Sequence, residues 1–406
     1  MGLMRYAWRN LWRNKRRTGI TLAAVTLNTA ILIMAYALMD GMIKHSVQNA
    51  TNVVLGEAQI HAEGYREDHS FYKSLPDPEI ILKKATEHRI GAAPRSYGYG
   101  LVSVGAKSAG ALFWGIDPAV ERAVFDLADN IQFGRFLSDK PEQGIVLGKK
   151  LARSLHASIG DEIIVVVQAA DGSLGNELYT IFGILKTVGD NIDRGAAILH
   201  QDDFRELFVS KGRIHEVALN TRGEMPIMEL AALMATAAEG TQVKTWRELM
   251  PLLSDMVNIF DSVMLIFYAI FVLAAGLGVM NTMLMATYDR MREFGILKAI
   301  GTSPWRIIGN MAVEAFVLAV TAAAFGLVIG LAGGYYFQEV GIDTRIFAAG
   351  DFSFSGVAFD PIWRAVLGVK VVAIPVVVMC VICTIASLYP AVLAARINPV
   401  RAIHHV

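Results

Sequence analysis

Four stretches of this chain run for twenty residues or more without a charged side chain: residues 20–39, 262–288, 315–338 and 371–395. About 20 apolar residues in helical form cross a hydrocarbon core of roughly 30 Å, and a helix satisfies its backbone polar groups without water. The chain is therefore expected to be a membrane protein with four transmembrane helices. Composition agrees: of 406 residues, 54% are hydrophobic and 18% charged, where soluble domains carry about 25% charge. So apolar a chain cannot stay disordered. Its 37 Lys and Arg balance 37 Asp and Glu, which argues against nucleic-acid binding through released phosphate counterions. The two cysteines, Cys380 and Cys383, both fall in the fourth run. No histidine or further cysteine accompanies them, so neither a disulfide scaffold nor a metal site is expected.

Four spans place both termini on one side of the membrane. Arg5, Arg9, Arg13, Lys15, Arg16 and Arg17 precede the first run, Arg290, Arg292, Lys298 and Arg306 separate the second from the third, and Arg396 and Arg401 follow the fourth. Positive charge accumulates on cytoplasmic loops, so the termini and the 289–310 connection are expected in the cytoplasm. The expected layout is a cytoplasmic amphipathic helix at 1–17, spans at 18–43, 262–288, 311–338 and 371–395, and a cytoplasmic tail at 396–406. A large periplasmic domain at 44–261 then lies between the first and second spans, and a periplasmic loop at 339–370. The first apolar run exceeds the 7–15 residues of a signal-peptide core, so a retained anchor is expected rather than a cleaved leader.

Within 44–261, strands are expected at 53–62, 110–116, 162–168, 177–185 and 214–220, and helices at 78–88, 118–129, 147–156 and 227–239. Such mixing implies an α+β domain. The first and last parts are expected to pair, with 101–199 inserted as a β-rich subdomain. Residues 169–177 form a short hairpin connection. His215 and Glu216, in a strand-like run, read as ordinary packing, and no nucleophile–base set is evident. No catalytic residue is assigned.

Two cytoplasmic segments carry pattern. At the start, Met4, Trp8, Leu11 and Trp12 fall on one helical arc, with Arg5, Arg9, Arg13 and Arg16 on its flank. Such a helix lies in the interface, tryptophans at headgroup depth and arginines on anionic phosphates, so Trp8, Trp12, Arg9 and Arg13 are candidate anchors. Between spans two and three, Phe294, Leu297 and Ile300 share a face, while Arg290, Arg292, Glu293 and Lys298 project elsewhere. Gly301 is a C-cap signal, and Ser303 with Pro304 opens the next helix. Gly295 costs about 1 kcal/mol inside a helix relative to Ala, a cost more readily tolerated where another backbone packs closely.

The run Arg-Glu-Phe-Gly-Ile-Leu-Lys-Ala-Ile-Gly at 292–301, with Asn281 before it and Glu314 after, resembles the signature of the FtsX/MacB superfamily of ABC transporter permeases. The end of the chain, from Tyr389-Pro390-Ala391 through Asn398-Pro399 to Ala402, is similar to that superfamily's C-terminal pattern. Gly115-Ile116-Asp117-Pro118, Gly144 to Gly148 and Gly160-Asp161-Glu162-Ile163 resemble landmarks of its lipoprotein-releasing LolC/LolE branch. The resemblance implies a non-catalytic subunit paired with a second permease, as homo- or heterodimer, and worked by a separate LolD-like ATPase that holds ATP and Mg. Arg290, Arg292, Glu293, Phe294, Gly295, Leu297, Lys298 and Gly301 would couple to it, apolar residues in its groove and charged ones orienting the helix. The nearest P-loop likeness, residues 144–150, is one residue short and lacks the Ser/Thr that binds Mg²⁺, so this chain binds no nucleotide cofactor itself. The 169–177 hairpin is short and proline-free where LolC-like subunits project a long hook, which argues against chaperone capture by a hook.

Inside the membrane, Gly326, Gly330 and Gly333, with Gly334, form one small-residue face, and Ala274 with Gly278 another. Each serves close packing within one subunit or a seam between two permeases. Pro375 is expected to kink the fourth span. None of the four runs holds an ionisable residue, which disfavours a proton relay and favours an apolar or acylated substrate. The implied function is ATP-driven release of lipoproteins or similar amphiphiles from the periplasmic leaflet of the inner membrane. The alternatives are MacB-like efflux through a periplasmic adaptor and FtsX-like signalling to periplasmic hydrolases. A different class again is an unpartnered sensor whose outer domain binds a ligand.

Overall fold

The structure is a computed structural model that describes residues 8–236, 239–343, 353–354, 357–358 and 362–397. Met4, Arg5, the segment from Asn398 and part of the 339–370 loop lie outside them. The chain forms two compact units, one from 1–43, 258–344 and 362–406 and one from 44–257 and 345–361.

The first unit is helical. Its long helices are α1 (Trp8–Leu55), α2 (Pro251–Asp289) and α4 (Pro304–Glu339), with the short α3 (Met291–Ala299) between the last two. They are followed by α5 (Val369–Ala386) and α6 (Leu388–Arg396). The α1, α2 and α4 helices and the 369–396 pair are each long and apolar enough to cross a membrane. No separate amphipathic helix ends at 17. A tight turn at Trp12–Asn14 marks the place, and α1 continues through it. No proline interrupts 8–55 and Lys15, Arg16 and Arg17 are good helix formers. The same helix replaces the start of the strand expected at 53–62. It ends in a wide turn at Thr51–Leu55, and Gly56 stops it at φ +77°, a left-handed value that glycine tolerates. The helix runs on through Pro375 to Ala386, and a break follows at Ser387, whose hydroxyl donates to Thr384 O at 2.7 Å.

One small-residue face finds its partner within the chain. A Cβ on Gly326 would lie 2.6 Å from Thr29 Cβ and 2.8 Å from Thr26 O, and on Gly330 3.0 Å from Ile33. Gly333 is as close to Met34. The face therefore packs α4 on α1, and Thr26 Oγ1 donates to Ala322 O at 3.1 Å across the same contact. Ala274 and Gly278 are exposed, and a Cβ on Gly278 would meet nothing within 4 Å.

The second unit is built on one sheet of ten strands: β1 (Ala58–Ala62), β2 (Gly91–Val104), β3 (Lys107–Ile116), β4 (Ile131–Gly134), β5 (Gly144–Leu147), β6 (Glu162–Gln168), β7 (Leu174–Leu185), β8 (Ala196–His200), β9 (Glu216–Asn220) and β10 (Thr241–Thr245). Their order is β10-β1-β9-β2-β3-β8-β5-β7-β4, with β6 joining β2 and β7. First and last segments do pair, β1 lying between β9 and β10. The expected break at 101–199 is absent from the sheet, because β2 belongs to both parts. Residues 91–95 pair with β9 and 95–104 with β3. The sequence hides β2 behind Gly98 and Gly100, residues that weaken strand patterns. They are needed there, since a Cβ on Gly98 would lie 2.4 Å from the Phe208 ring. Helices Gln201–Phe208 and Lys149–Leu155 contribute Phe204, Phe208, Leu151 and Leu155 to a core with Phe113, Ile145 and Val165. Pro78–Glu87 and Ile227–Ala235 close a second core over Ile60 and Leu219.

Across the sheet runs a row of buried charge. His61, Glu216 and Arg95 stand opposite one another on β1, β9 and β2. His61 Nε2 lies 3.1 Å from Glu216 Oε2, and Arg95 donates to Glu216 Oε1 at 3.1 Å, to Glu121 Oε1 at 2.6 Å and to Val54 O at 2.6 Å. The Tyr97 hydroxyl donates to Glu216 Oε1 at 2.9 Å. Glu216 is thus no ordinary packing residue. Burial alone raises its carboxyl's pKa, but the His61 hydrogen bond and the Arg95 charge outweigh burial and hold it below the usual value. Removing one partner of a buried pair leaves an uncompensated charge.

Two outcomes follow. Arg95→Met, which strands Glu121 and Glu216, should cost about 3–5 kcal/mol of stability, read as a lowered thermal midpoint of the full chain. A carboxyl depressed in the folded state contributes stability above its ordinary pKa of about 4.3 and loses it as pH falls through the lower folded value. Glu216→Gln should flatten that acid limb of the midpoint-versus-pH curve, and an unchanged limb would show that Glu216 does not set it.

Candidate functional site

The charged residues between α2 and α4 are gathered by α3. Thr302 N donates to Leu297 O at 2.9 Å and Gly301 takes φ +92°, so α3 stops where the sequence places its cap. Pro304 then opens α4 after Ser303. Two faces result, and they divide the expected coupling residues.

The inner face is locked to this chain. Phe294 is buried in the helical core with Leu11, Ile307, Met311 and Ala391, and Leu297 packs on the same cluster. Gly295 is buried as well. The Arg290 guanidinium lies 5.3 Å from the Phe294 ring centroid and donates to Glu293 at 3.2 Å and to Glu314 at 3.1 Å. The side chains of Arg290 and Glu314 are only 13% and 9% exposed, so this pair is shielded far more than a surface bridge. Lys298 Nζ donates to Ala395 O at 2.9 Å and Ile397 O at 2.8 Å, capping the C-terminal end of α6 with positive charge. Arg13 donates to Glu293 at 2.5 Å and Arg17 to Asp289 at 2.7 Å, tying the start of α1 to the same turn. Burial disfavours ionised Glu293, yet the hydrogen bonds from Arg13 and Arg290 outweigh it and hold the carboxyl below its ordinary value.

Arg290, Phe294, Leu297 and Lys298 therefore hold α3 in place, Phe294 buried and Leu297 half-buried against this chain's own helices. The helix period puts them on the side facing α4 and α6. The outer face carries Arg292, Ile296, Ala299 and Ile300, and beyond the turn Trp305 and Arg306. Ile300 is 75% and Trp305 80% exposed, large apolar surface that water solvates poorly. Trp305 was missed in the sequence because it belongs to the opening turn of α4, outside the 290–301 motif. Glu314 and Asp40 lie just outside the charge-free runs but inside the spans as bounded at 311–338 and 18–43.

A cleft of about 470 Å³ opens beside α3, lined by Asn10, Arg290, Phe294, Thr302, Asn310 and Glu314 among others. Of the expected anchors, Trp8 and Trp12 are 46% and 43% exposed and meet edge to face at 5.9 Å. Arg9 is exposed beside them, whereas Arg13 is engaged by Glu293. No group of three or more His, Cys, Asp or Glu side chains suited to a metal ion occurs among the described residues.

Four membrane-length helices, an α+β unit and a short helix between α2 and α4 fit a class of ABC transporter permease. Residues 18–250, more than half of the chain, match the MacB-like periplasmic core domain, and residues 265–399 match the FtsX-like permease C-terminal family. The chain belongs to this FtsX/MacB superfamily of permeases. It is 23% identical to the lipoprotein-releasing system transmembrane protein LolC of Xylella fastidiosa, over 97% of this chain and 96% of that protein. It is 22% identical to an uncharacterized ABC transporter permease of Methanocaldococcus jannaschii, over 99% and 97%. The macrolide export ATP-binding/permease protein MacB of Nitrosomonas europaea is 22% identical over 82% of this chain, which spans 51% of that protein. Among solved structures, the periplasmic region of MacB from Actinobacillus actinomycetemcomitans covers 50% of this chain at 15% identity and a TM-score of 0.35.

Glu314→Gln should loosen α3 by weakening its pairing with the shielded Arg290, at a cost of about 1–3 kcal/mol. Hydrogen exchange checks this: amides of 291–299 should exchange faster while those of the ten-stranded sheet stay unchanged.

Proposed function

We propose that the chain is the membrane subunit of an ATP-driven complex that extracts or releases lipoproteins, or similar amphiphiles, at the outer leaflet of the bacterial inner membrane. The observation that carries the reading is the division of α3 into a locked inner face and an exposed outer face. An ATPase subunit seats on Arg292, Ile296, Ile300 and Trp305, and its closure moves α3. Because α3 is tied by ion pairs and hydrogen bonds to α1, α4 and α6, displacement of one displaces the set. ATP and Mg belong to that ATPase. The α1 and α2 helices each contain residues of both compact units, so they are the continuous elements through which motion reaches the α+β domain. Basic residues in the first turns of α1 and between α2 and α4 support an arrangement with both termini and α3 in the cytoplasm and the large domain in the periplasm.

The amphiphile reading rests on two supports. The chain is similar over nearly its whole length to a protein named for lipoprotein release, and its central apolar runs carry no ionisable side chain for polar transport. The exposed Ala274–Gly278 face is the surface for a second permease, identical or not, since it lacks a partner within 4 Å of Gly278 in the chain itself. The β6–β7 connection, residues 169–173, is a tight turn with Gly172 at φ +86°. It gives no reach for hooking a chaperone, so any periplasmic chaperone or adaptor binds elsewhere on the domain.

The test is co-purification from native membranes. Ile300→Asp with Trp305→Ala should abolish recovery of an ATP-hydrolysing subunit while leaving the thermal midpoint of the chain unchanged. Phe294→Ala should lower that midpoint by the equivalent of about 3–5 kcal/mol, as for other buried aromatic truncations. If the outer-face variant retains the ATPase, α3 is not the docking element. Depletion of the chain should also leave acylated lipoproteins in inner-membrane vesicles, the result that separates release from signalling.

A further inference from the structure

The row of buried charge in the α+β unit floors a cavity of about 200 Å³, lined by Gln59, Arg95, Tyr97, Leu112, Trp114 and Glu216 among others. A second cavity of about 320 Å³ is lined by Ala50, Val188, Leu249, Met250 and Leu252 among others. The two share Val54, Leu55, Arg66 and Ile192 in their walls, so they are neighbouring chambers, one polar-floored and one mostly apolar. Sites for small molecules have this size and this make-up, apolar walls with a few placed polar groups.

Three polar groups in the walls are unused. Trp114 Nε1 is buried without an acceptor, and Gln59 Oε1 is buried without a donor. The orientation of the Gln59 amide is set by its Nε2, which donates to Leu55 O at 2.7 Å. A buried donor and a buried acceptor left unpaired each cost free energy. A hydroxyl answers either, since it both donates and accepts. Arg66, exposed at the junction of the chambers, has no carboxylate within ion-pair distance among the described residues. The charged groups of the floor are already spent on each other, Arg95 on Glu121 and Glu216, and Glu216 on His61 and Tyr97.

We propose that these chambers bind a single-chain lipid carrying glycerol hydroxyls and an anionic phosphate. The acyl chain lies between Ala50, Val188 and Met250, the phosphate meets Arg66, and hydroxyls of the glycerol units take the Trp114 and Gln59 positions. This deepens the amphiphile reading above by giving it a periplasmic subsite, and it rests on that reading for the substrate class alone.

The test uses the full chain in phosphatidylcholine nanodiscs and lysophosphatidylglycerol bearing a photoreactive group in its acyl chain. Cross-links mapped by mass spectrometry should fall on residues 49–55, 188–192 or 249–252. Ile192→Trp, which fills the junction, should remove them. Arg66→Ala should weaken lysophosphatidylglycerol about tenfold, as expected for one charge-assisted contact, and leave neutral monoacylglycerol unchanged. Trp114→Phe and Gln59→Leu should weaken both of these hydroxylated probes and spare a plain fatty acid. Inorganic phosphate at millimolar concentration should fail to compete; full competition would make this a phosphate site and overturn the lipid. Labelling confined to 262–288, 315–338 and 371–395, or unchanged in Ile192→Trp, also overturns the proposal. ATPase recovery measured on the same preparations separates the two readings, since a failed subsite leaves that recovery intact.

Discussion

A backbone inside hydrocarbon has to satisfy its own hydrogen bonds, and everything else in this chain is arranged around that requirement. Four apolar runs become helices for want of any other solution. With no hydrophobic gain from leaving lipid, those helices associate by close approach and by polar contacts. The glycine face of α4 lets α1 come within van der Waals distance, and Thr26 adds a hydrogen bond to Ala322 O. The charged residues are held at the ends of these helices, where they can be paired.

Pairing is also what distinguishes a structural charge from a docking charge. Arg290 is shielded against Glu314 and the Phe294 ring, and Lys298 is spent on the carbonyls of Ala395 and Ile397. Such groups give α3 a defined seat but have little left to offer a partner. Arg292 and the exposed Ile300 and Trp305 have the opposite character. The α+β unit repeats the theme in a drier setting, where Arg95 on β2 is shared between Glu216 on the adjacent β9 and Glu121 on the helix Pro118–Val124. A buried charge of this kind is costly to strand and is more convincing as a register device than as a source of net stability.

Much of this was legible in the linear chain. Apolar length announced the spans, basic residues their flanks, and the cap at Gly301 followed by Pro304 the turn between α3 and α4. Strand 162–168 and helices near 78–88 and 149–155 were readable from period and turn residues. The β2 strand was not, because its glycines make room for side chains distant in sequence, Gly98 for the ring of Phe208 and Gly100 for Val167. The start of β1 was misplaced because α1 runs on through β-branched residues that favour strands in isolation, held helical by the turns before them.

Local order along the chain was enough to determine that this protein carries four membrane-length helices, and that α3 stops at Gly301 and α4 opens at Pro304. These depend on neighbours three or four residues apart, or on the length of a run. Only the tertiary structure decided which face of α3 is spent and which is open, which glycines serve the chain itself, and that His61, Glu216 and Arg95 form one row. Those outcomes depend on cross-strand register and helix rotation, which are set by packing between distant segments and leave no periodic trace in either segment alone.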